Sequence, residues 1–320
     1  MDKVTKDIIT TSSSSKAVSA ISADIILSLL YFDIFNYPLT NKELVRHSSI
    51  PSLTEEALDT AVNELYDQKL IQKAKHFIYI PSEKDNVERR ILGNRKADEY
   101  LKKAYKISKF ISHFPFIRGI FLSGSISKGY ADKDSDIDYF ILTSPGRLWF
   151  ARTILIVVKK VVLFNSKKYF CLNYFIDTEH LEIPDKNVFT ATELNYLIPT
   201  YNKEIYSQLM NSNSWIKSYQ PNFIPYDKNI IHVKDGLIKC FLEKLFSGFI
   251  GDKLDDLFMK TNEKFWKFKY RKSQGIYSPS IRCKKHVSKI HPQNFQNRVL
   301  DLYEAKISDY EQRYKIKLRP

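Results

Sequence analysis

The sequence predicts an α+β protein: a small mixed sheet with helices, preceded by a helical N-terminal unit and followed by a helical, basic C-terminal region. Three observations carry this. Helical spacing of apolar residues dominates the chain up to residue 112; two strand-like runs, IRGIFLS and DIDYFILT, flank a Gly-Ser loop; and a third run, YFCLNYFID, follows one more helix. With 320 residues the chain exceeds what one core usually organises, so two or three domains are expected. The composition, 43% hydrophobic and 27% charged, excludes disorder over the whole length, and 9 glycines and 12 prolines exclude a collagen-like chain.

In chain order, residues 1–17 are polar and are expected to form a flexible tail. ADIILSLLYFDIF then reads as a buried helix, and PLTNKELVRH starts a second with Thr40 and Glu43 spaced as a capping box. A third helix follows a cap at Ser52 or Thr54, with Leu58, Val62, Leu65 and Tyr66 at helical spacing, and LIQK and FIYI flank Ala74–His76 as a hairpin would. Three helices and a hairpin over residues 18–82 resemble a winged-helix arrangement. DNA-reading winged helices present basic and polar residues on the third helix. Here it carries Glu55, Glu56, Asp59, Glu64 and Asp67, which favours packing or dimerisation over DNA recognition. Residues 83–115 form a connecting helix, with Ile91, Ala97, Leu101, Ala104, Ile107 and Ile111 in phase, a weak point at Gly93 and a stop at Pro115.

The chemistry lies between the first two strands. Ile117–Leu122 runs into Gly124-Ser125, and Asp136-Ile137-Asp138 opens the next strand. Strand alternation puts Asp136 and Asp138 on one face and Ile137 in the core. Two carboxylates this close repel unless a cation sits between them, and oxygen ligands suit Mg²⁺. Gly124, without a Cβ, lets the backbone approach a phosphate, Ser125 adds a hydroxyl, and Lys128 is a candidate phosphate ligand. The bland alternative is turn chemistry alone, for which Asp132, Asp134 and Ser135 are well suited.

The stretch LSGSISKGYADKDSDIDYFIL resembles the core motif of the DNA polymerase β-like nucleotidyltransferase superfamily: a hydrophobic residue, Gly, Gly or Ser, a spacer, then Asp-hydrophobic-Asp. The resemblance implies a nucleotidyltransferase core over residues 116–189 flanked by the winged-helix-like and C-terminal parts. It further implies triphosphate binding at Gly124 and Ser125, Mg²⁺ as cofactor on Asp136 and Asp138, and an NTP partner, with ATP the first choice. The acceptor, a small molecule or a protein, is left open. In that family a later strand supplies a third carboxylate; here the matching triplet is Leu172-Asn173-Tyr174. Asn173 is neutral and cannot accept the proton of an attacking hydroxyl. Three readings stay open: Asp177 serves from the same strand face, the attacking group needs no strong base, or activity is lost. A catalytically weak nucleotide-sensing or nucleic-acid-binding regulatory protein is the alternative function.

Residues 190–320 read as a helical, basic region. From Lys217 onward 22 Lys/Arg stand against 11 Asp/Glu, so most of the net charge of +14 sits here. A basic surplus suits an anionic partner, though nucleic acid is not favoured. Thr190 or Thr192 suits a helix cap and Pro199 a break. Leu237, Cys240, Phe241, Leu245 and Phe249 form a stripe expected in the core. KFWKFKYRK, Lys264–Lys272, suits either base stacking or, preferably, an aromatic inner face under a basic outer one. His286 and His291 lack neighbours for a metal site. The three cysteines, Cys171, Cys240 and Cys283, are distant and odd in number, indicating a reducing compartment. With no apolar leader, and with Thr153–Phe164 interrupted by Lys159 and Lys160, a cytoplasmic location and no membrane partner are expected.

Overall fold

The computed structural model describes residues 16–82, 85–162, 168–227, 230–270, 281–290 and 294–319; the first fifteen residues of the expected tail, His291, and Arg271 and Lys272 of the basic aromatic run lie outside them. A two-residue strand, β1 (Lys16–Ala17), leads into α1 (Ala20–Asp33), α2 (Asn41–His47), α3 (Glu55–Asp67) and a hairpin of β2 (Gln72–Ala74) and β3 (Phe77–Tyr79). Each helix starts where a side chain satisfies a free N–H. Ser19 accepts from Ser22 N at 3.0 Å and Thr54 from Ala57 N at 3.2 Å. The expected capping box is present: Thr40 N donates to Glu43 Oε2 at 2.9 Å and Glu43 N to Thr40 Oγ1 at 3.3 Å. Such caps each contribute about 1 kcal/mol. Ile25, Leu29, Leu58, Val62 and Leu65 fill the core of this unit, while every acid of α3 faces solvent.

The long helix α4 (Asn86–Ile111) crosses to a six-stranded sheet. Its strands and helices are β4 (Ile117–Ser123), α5 (Gly124–Ser127), β5 (Asp138–Thr143), α6 (Leu148–Val162), β6 (Cys171–Asp177), α7 (Val188–Asn195), β7 (Ile198–Tyr201), α8 (Lys203–Ser212), α9 (Leu237–Leu245), α10 (Phe249–Tyr270), β8 (Ile281–Lys284) and β9 (Val287–Ile290). The strand order is β7-β4-β5-β6-β9-β8. Within the described residues of this sheet only the β5–β6 pair is parallel, because α6 carries the chain back across the sheet between them. On one face Ile120, Leu122, Tyr139, Ile141 and Phe175 pack with Trp149 of α6; on the other Phe121, Phe140, Leu142 and Ile176 meet Leu194 of α7 and Leu209 of α8. Pro199 does not break a helix. It sits in β7, an edge strand, where a missing N–H is tolerated.

The last third of the chain differs from a single helical region. Three of its segments, β7, β8 and β9, widen the sheet, and α11 (Phe295–Tyr314) with β10 (Ile316–Lys317) returns to the N-terminal unit. Val299, Tyr303, Ile307 and Tyr310 of α11 enter the same core as α1 and α3. Tyr310 Oη donates to the Leu70 carbonyl at 2.6 Å, and β10 pairs with β1 in parallel. Helical spacing marks α11 as amphipathic but cannot say that its partner lies 276 residues earlier in the chain, the separation of the Tyr303–Leu27 hydrogen bond.

The stripe on α9 departs from expectation. Leu237 is 90% exposed and Phe241 65%, with Cys240, Leu245 and Phe249 also outside, and it is Lys239 that is buried. In α10, Trp266 turns inward against Trp149 and Phe268 stays outside. Among the described residues no helix is long and apolar enough to cross a membrane.

Candidate functional site

Register sets the geometry. Ser123, the last residue of β4, pairs with Asp138, the first of β5, so the loop leaving β4 lies directly over the start of β5. Gly124 turns the chain there with φ +72, and a Cβ on it would stand 2.4 Å from Asp138 Oδ2. Only glycine fits both conditions. The following turn is self-bonded, Ser127 Oγ donating to the Gly124 carbonyl at 2.9 Å and Tyr130 N to that of Ser125 at 3.0 Å. It is tied outward as well. Ala131 N donates to the Gly93 carbonyl at 3.1 Å, and Tyr37 Oη donates to the Lys128 carbonyl. The weak point in α4 is thereby explained: a Cβ on Gly93 would collide with the Tyr130 ring at 2.3 Å. Downstream, Asp132 and Ser135 close a local turn, with Asp134 N donating to Asp132 Oδ1 at 3.0 Å.

Ile137 is fully buried, while Asp136 and Asp138 are half-buried on either side of it. The Asp138 carboxyl is pushed up to about 7, first by burial and then by the charges of Asp136 and Glu193, against opposing help from Cys171 and Lys128. Burial and the same two aspartates push the Cys171 thiol up to about 12. Negative charge is therefore crowded here.

Asn173 belongs to this group. Its side-chain amide donates to Asp138 Oδ1, and Cys171 Sγ donates to its carbonyl oxygen at 3.1 Å. The register explains why: Tyr139 pairs with Leu172 and Phe140 with Tyr174, leaving Asn173 as an extra residue, bulged toward Asp138. The bulge also reverses the alternation beyond it, so that Tyr174 stacks on Phe140 at 4.6 Å. Asp177 consequently stands apart. It pairs opposite Thr143 at the far end of the strand, roughly 13 Å along from Asn173, and its carboxylate engages His180 Nδ1 at 2.7 Å. The structure does not bring Asp177 to the paired aspartates.

An acid that the sequence reading missed does reach Asp138. Glu193, on α7, holds Lys128 Nζ at 2.7 Å, and the same ammonium donates to the Gly124 carbonyl at 3.2 Å. The available signal was a lone acid in the apolar-rich helix ATELNYL. Ser123, Gly124, Asp138, Asn173 and Glu193 line a cavity of about 280 Å³ together with Phe140, Tyr174, Phe189, Phe295 and Lys289. Arg147 and Arg152 lie elsewhere: Arg147 binds Asp252 and the Phe246 carbonyl, and Arg152 is buried against Trp266.

Residues 101–228 match the family described as a nucleotidyltransferase domain, consistent with the polymerase β-like nucleotidyltransferase superfamily. The match takes in the Gly-Ser loop, both aspartates, Asn173 and Glu193, and it supports NTP transfer as the general activity of this domain. Neither the curated proteins nor the solved structures yielded a match.

Proposed function

We propose that the protein is a Mg²⁺-dependent nucleotidyltransferase that moves a nucleoside monophosphate from an NTP, with ATP the first choice, to a hydroxyl or similar group on a small molecule or protein. The observation that carries this is the close packing of Gly124 on Asp138, which sets a bare backbone turn beside a crowded carboxylate pair. The donors fit Mg²⁺. They are hard oxygens, and the Asp138 carboxyl, raised first by burial and then by the charges of Asp136 and Glu193, is a group whose ionised form a cation would favour. Among the described residues no three His, Cys, Asp or Glu side chains form a metal group by themselves. Mg²⁺ commonly uses one or two carboxylates and takes its remaining ligands from substrate phosphates and water.

When bound on Asp136 and Asp138, Mg²⁺ would neutralise charge on the transferring phosphoryl group. The chain's own residues position the rest. Gly124 gives the triphosphate access to the backbone, Ser125 offers its hydroxyl, and Lys128 exchanges Glu193 for phosphate oxygen. Asn173 holds the Asp138 carboxylate in one orientation and takes no proton. The N-terminal unit serves packing and support of the Lys128 loop; the acidic outer face of α3 would repel a nucleic-acid backbone. Asn173 in place of a carboxylate favours one second reading, a nucleotide sensor with weak turnover.

The test is titration of ATP, GTP, CTP and UTP with and without Mg²⁺, together with pyrophosphate release, on the wild type, Asp136→Asn and Asp138→Asn. Metal-dependent binding of one NTP, lost in both variants, is expected. Equal binding in either variant overturns the assignment, and tight binding with no pyrophosphate released under any acceptor supports the sensor.

A further inference from the structure

Helix α9 is mounted with its polar side inward. Lys239, buried, donates to the Ser112 carbonyl at 3.1 Å and the Ile117 carbonyl at 3.3 Å. Glu243 accepts from Phe116 N at 2.6 Å and forms a two-point pair with Arg118 at 2.8 Å. Those two side chains lie on neighbouring turns of one face, so the helix is fixed to β4 and the end of α4 by hydrogen bonds. The opposite face then points to solvent. Leu237, Ile238, Phe241 and Leu245 on α9, with Phe249 and Ile250 at the start of α10, are each at least half exposed. A helix usually buries its apolar stripe, and an exposed patch of this kind marks an interaction surface.

Charge says what covers it. Between residues 230 and 253 every acid is already engaged by a cation of the protein: Asp235 by Lys239 at 2.7 Å, Glu243 by Arg118, and Asp252 by Arg147 at 2.5 Å. The charge left facing outward is that of Lys234, Lys244 and Lys253, all exposed, and Lys253 lies 5.2 Å from the Phe249 ring centre. A second copy would set the same lysines, and two net charges of +14, against each other. An anionic lipid surface answers both features, because apolar side chains enter the acyl boundary while lysine stems reach back to the headgroups.

We propose that the α9 face and the start of α10 seat the protein on an anionic membrane surface. The contact lies on the bilayer and does not cross it, in keeping with the lack of a spanning helix among the described residues. It is independent of the nucleotide chemistry, since none of these side chains lines the site around Asp138.

The experiment is co-sedimentation of the full chain with vesicles of phosphatidylcholine alone or mixed with phosphatidylglycerol, at low and high salt. Binding is expected to the mixed vesicles, weakened by salt. The double variant Phe241→Asp/Phe249→Asp should lower partitioning at least about tenfold. Lys244→Glu/Lys253→Glu should remove the preference for anionic lipid. Both variants replace exposed residues, so their thermal midpoints should match the wild type, and this separates lost docking from lost folding. No sedimentation of the wild type with mixed vesicles at low salt overturns the proposal. So does vesicle binding unchanged in both variants. A dimer in solution that Phe241→Asp/Phe249→Asp splits would assign the face to a second copy instead, and capture of a soluble acidic protein without vesicle binding would assign it to that partner.

Discussion

Replacing Gly124 by alanine tests the site at its tightest contact, and Gly146 supplies the control. Both glycines have positive φ, +72 and +65, so both substitutions meet the left-handed penalty of about 1–2 kcal/mol, partly offset by the stiffer unfolded chain. They differ in surroundings. A Cβ at 146 meets nothing within 4 Å, whereas one at 124 stands 2.4 Å from Asp138 Oδ2. Asp138 must then rotate off its rotamer, at about 0.5–1.5 kcal/mol, and surrender the Asn173 hydrogen bond to its carboxylate, at about 1.5–3 kcal/mol. The expected losses are about 1 kcal/mol for Gly146→Ala and about 3–5.5 kcal/mol for Gly124→Ala, the sum of that shared penalty, the rotamer cost and the lost hydrogen bond. At about 2–4 °C per kcal/mol the gap between them is visible in a thermal scan. A Mg·ATP titration on the same two proteins should show binding kept in Gly146→Ala and lost in Gly124→Ala. If the two variants match in both melting and nucleotide affinity, Asp138 is not held against the loop and Gly124 is an ordinary turn residue.

The raised Asp138 carboxyl predicts a pH effect. Without metal the folded protein holds this proton more tightly than the unfolded chain, so stability should fall as pH rises from the ordinary carboxylate range to about 7. Mg²⁺ displaces the proton, so its affinity should climb about tenfold per pH unit and level off above about 7; calorimetry on Asp138→Asn should show a flat profile. Glu193→Gln removes one of the charges that raise Asp138 and should move that levelling point to lower pH in the same titration. Asn173→Asp exchanges a hydrogen-bond donor for a like charge and should lower stability by about 1–3 kcal/mol without Mg²⁺, with recovery when Mg²⁺ is added to the melt. Ile307→Ala, at a fully packed position of α11, should destabilise the N-terminal unit by about 2–5 kcal/mol, read as loss of protection of α1 and α3 amides in hydrogen exchange.

Local chemistry was legible where one segment contains both partners. The Thr40–Glu43 box, the Gly-Ser turn and the buried Ile137 between two aspartates each depend on residues within a few positions, and each is found. Periodicity was less complete a guide, since it tells which residues share a helix face and is silent on which way the face turns. Leu237, Phe241 and Leu245 share a face, but Lys239 and Glu243 found carbonyls, an amide and a guanidinium on β4 and α4, and those bonds turned the apolar face outward. Likewise α11 is amphipathic in sequence, and only the closed chain shows its stripe completing the core of α1 and α3.

One extra residue accounts for the remaining difference. Counting two residues per period along β6 puts Asn173, Phe175 and Asp177 together, but the bulge at Asn173 reverses every side chain beyond it and sends Asp177 to His180. The third acid at the site arrives instead on a helix, as Glu193 of α7, and a helix needs its own fixing. That fixing comes from the N-terminal unit. Arg46 Nε donates to Asn195 Oδ1 at 2.6 Å, and His47 Nε2 meets Tyr196 Oη at 3.0 Å while its Nδ1 meets Gln220 at 3.0 Å. Burial holds His47 well below its ordinary pKa, so this junction is a neutral hydrogen-bonded one that does not open near neutral pH. With Tyr37 holding the Lys128 carbonyl, the same unit fixes both partners of the Lys128–Glu193 pair. The sheet thus sets Asp138, the first residue of β5, and the N-terminal unit sets the two charged groups that act on it.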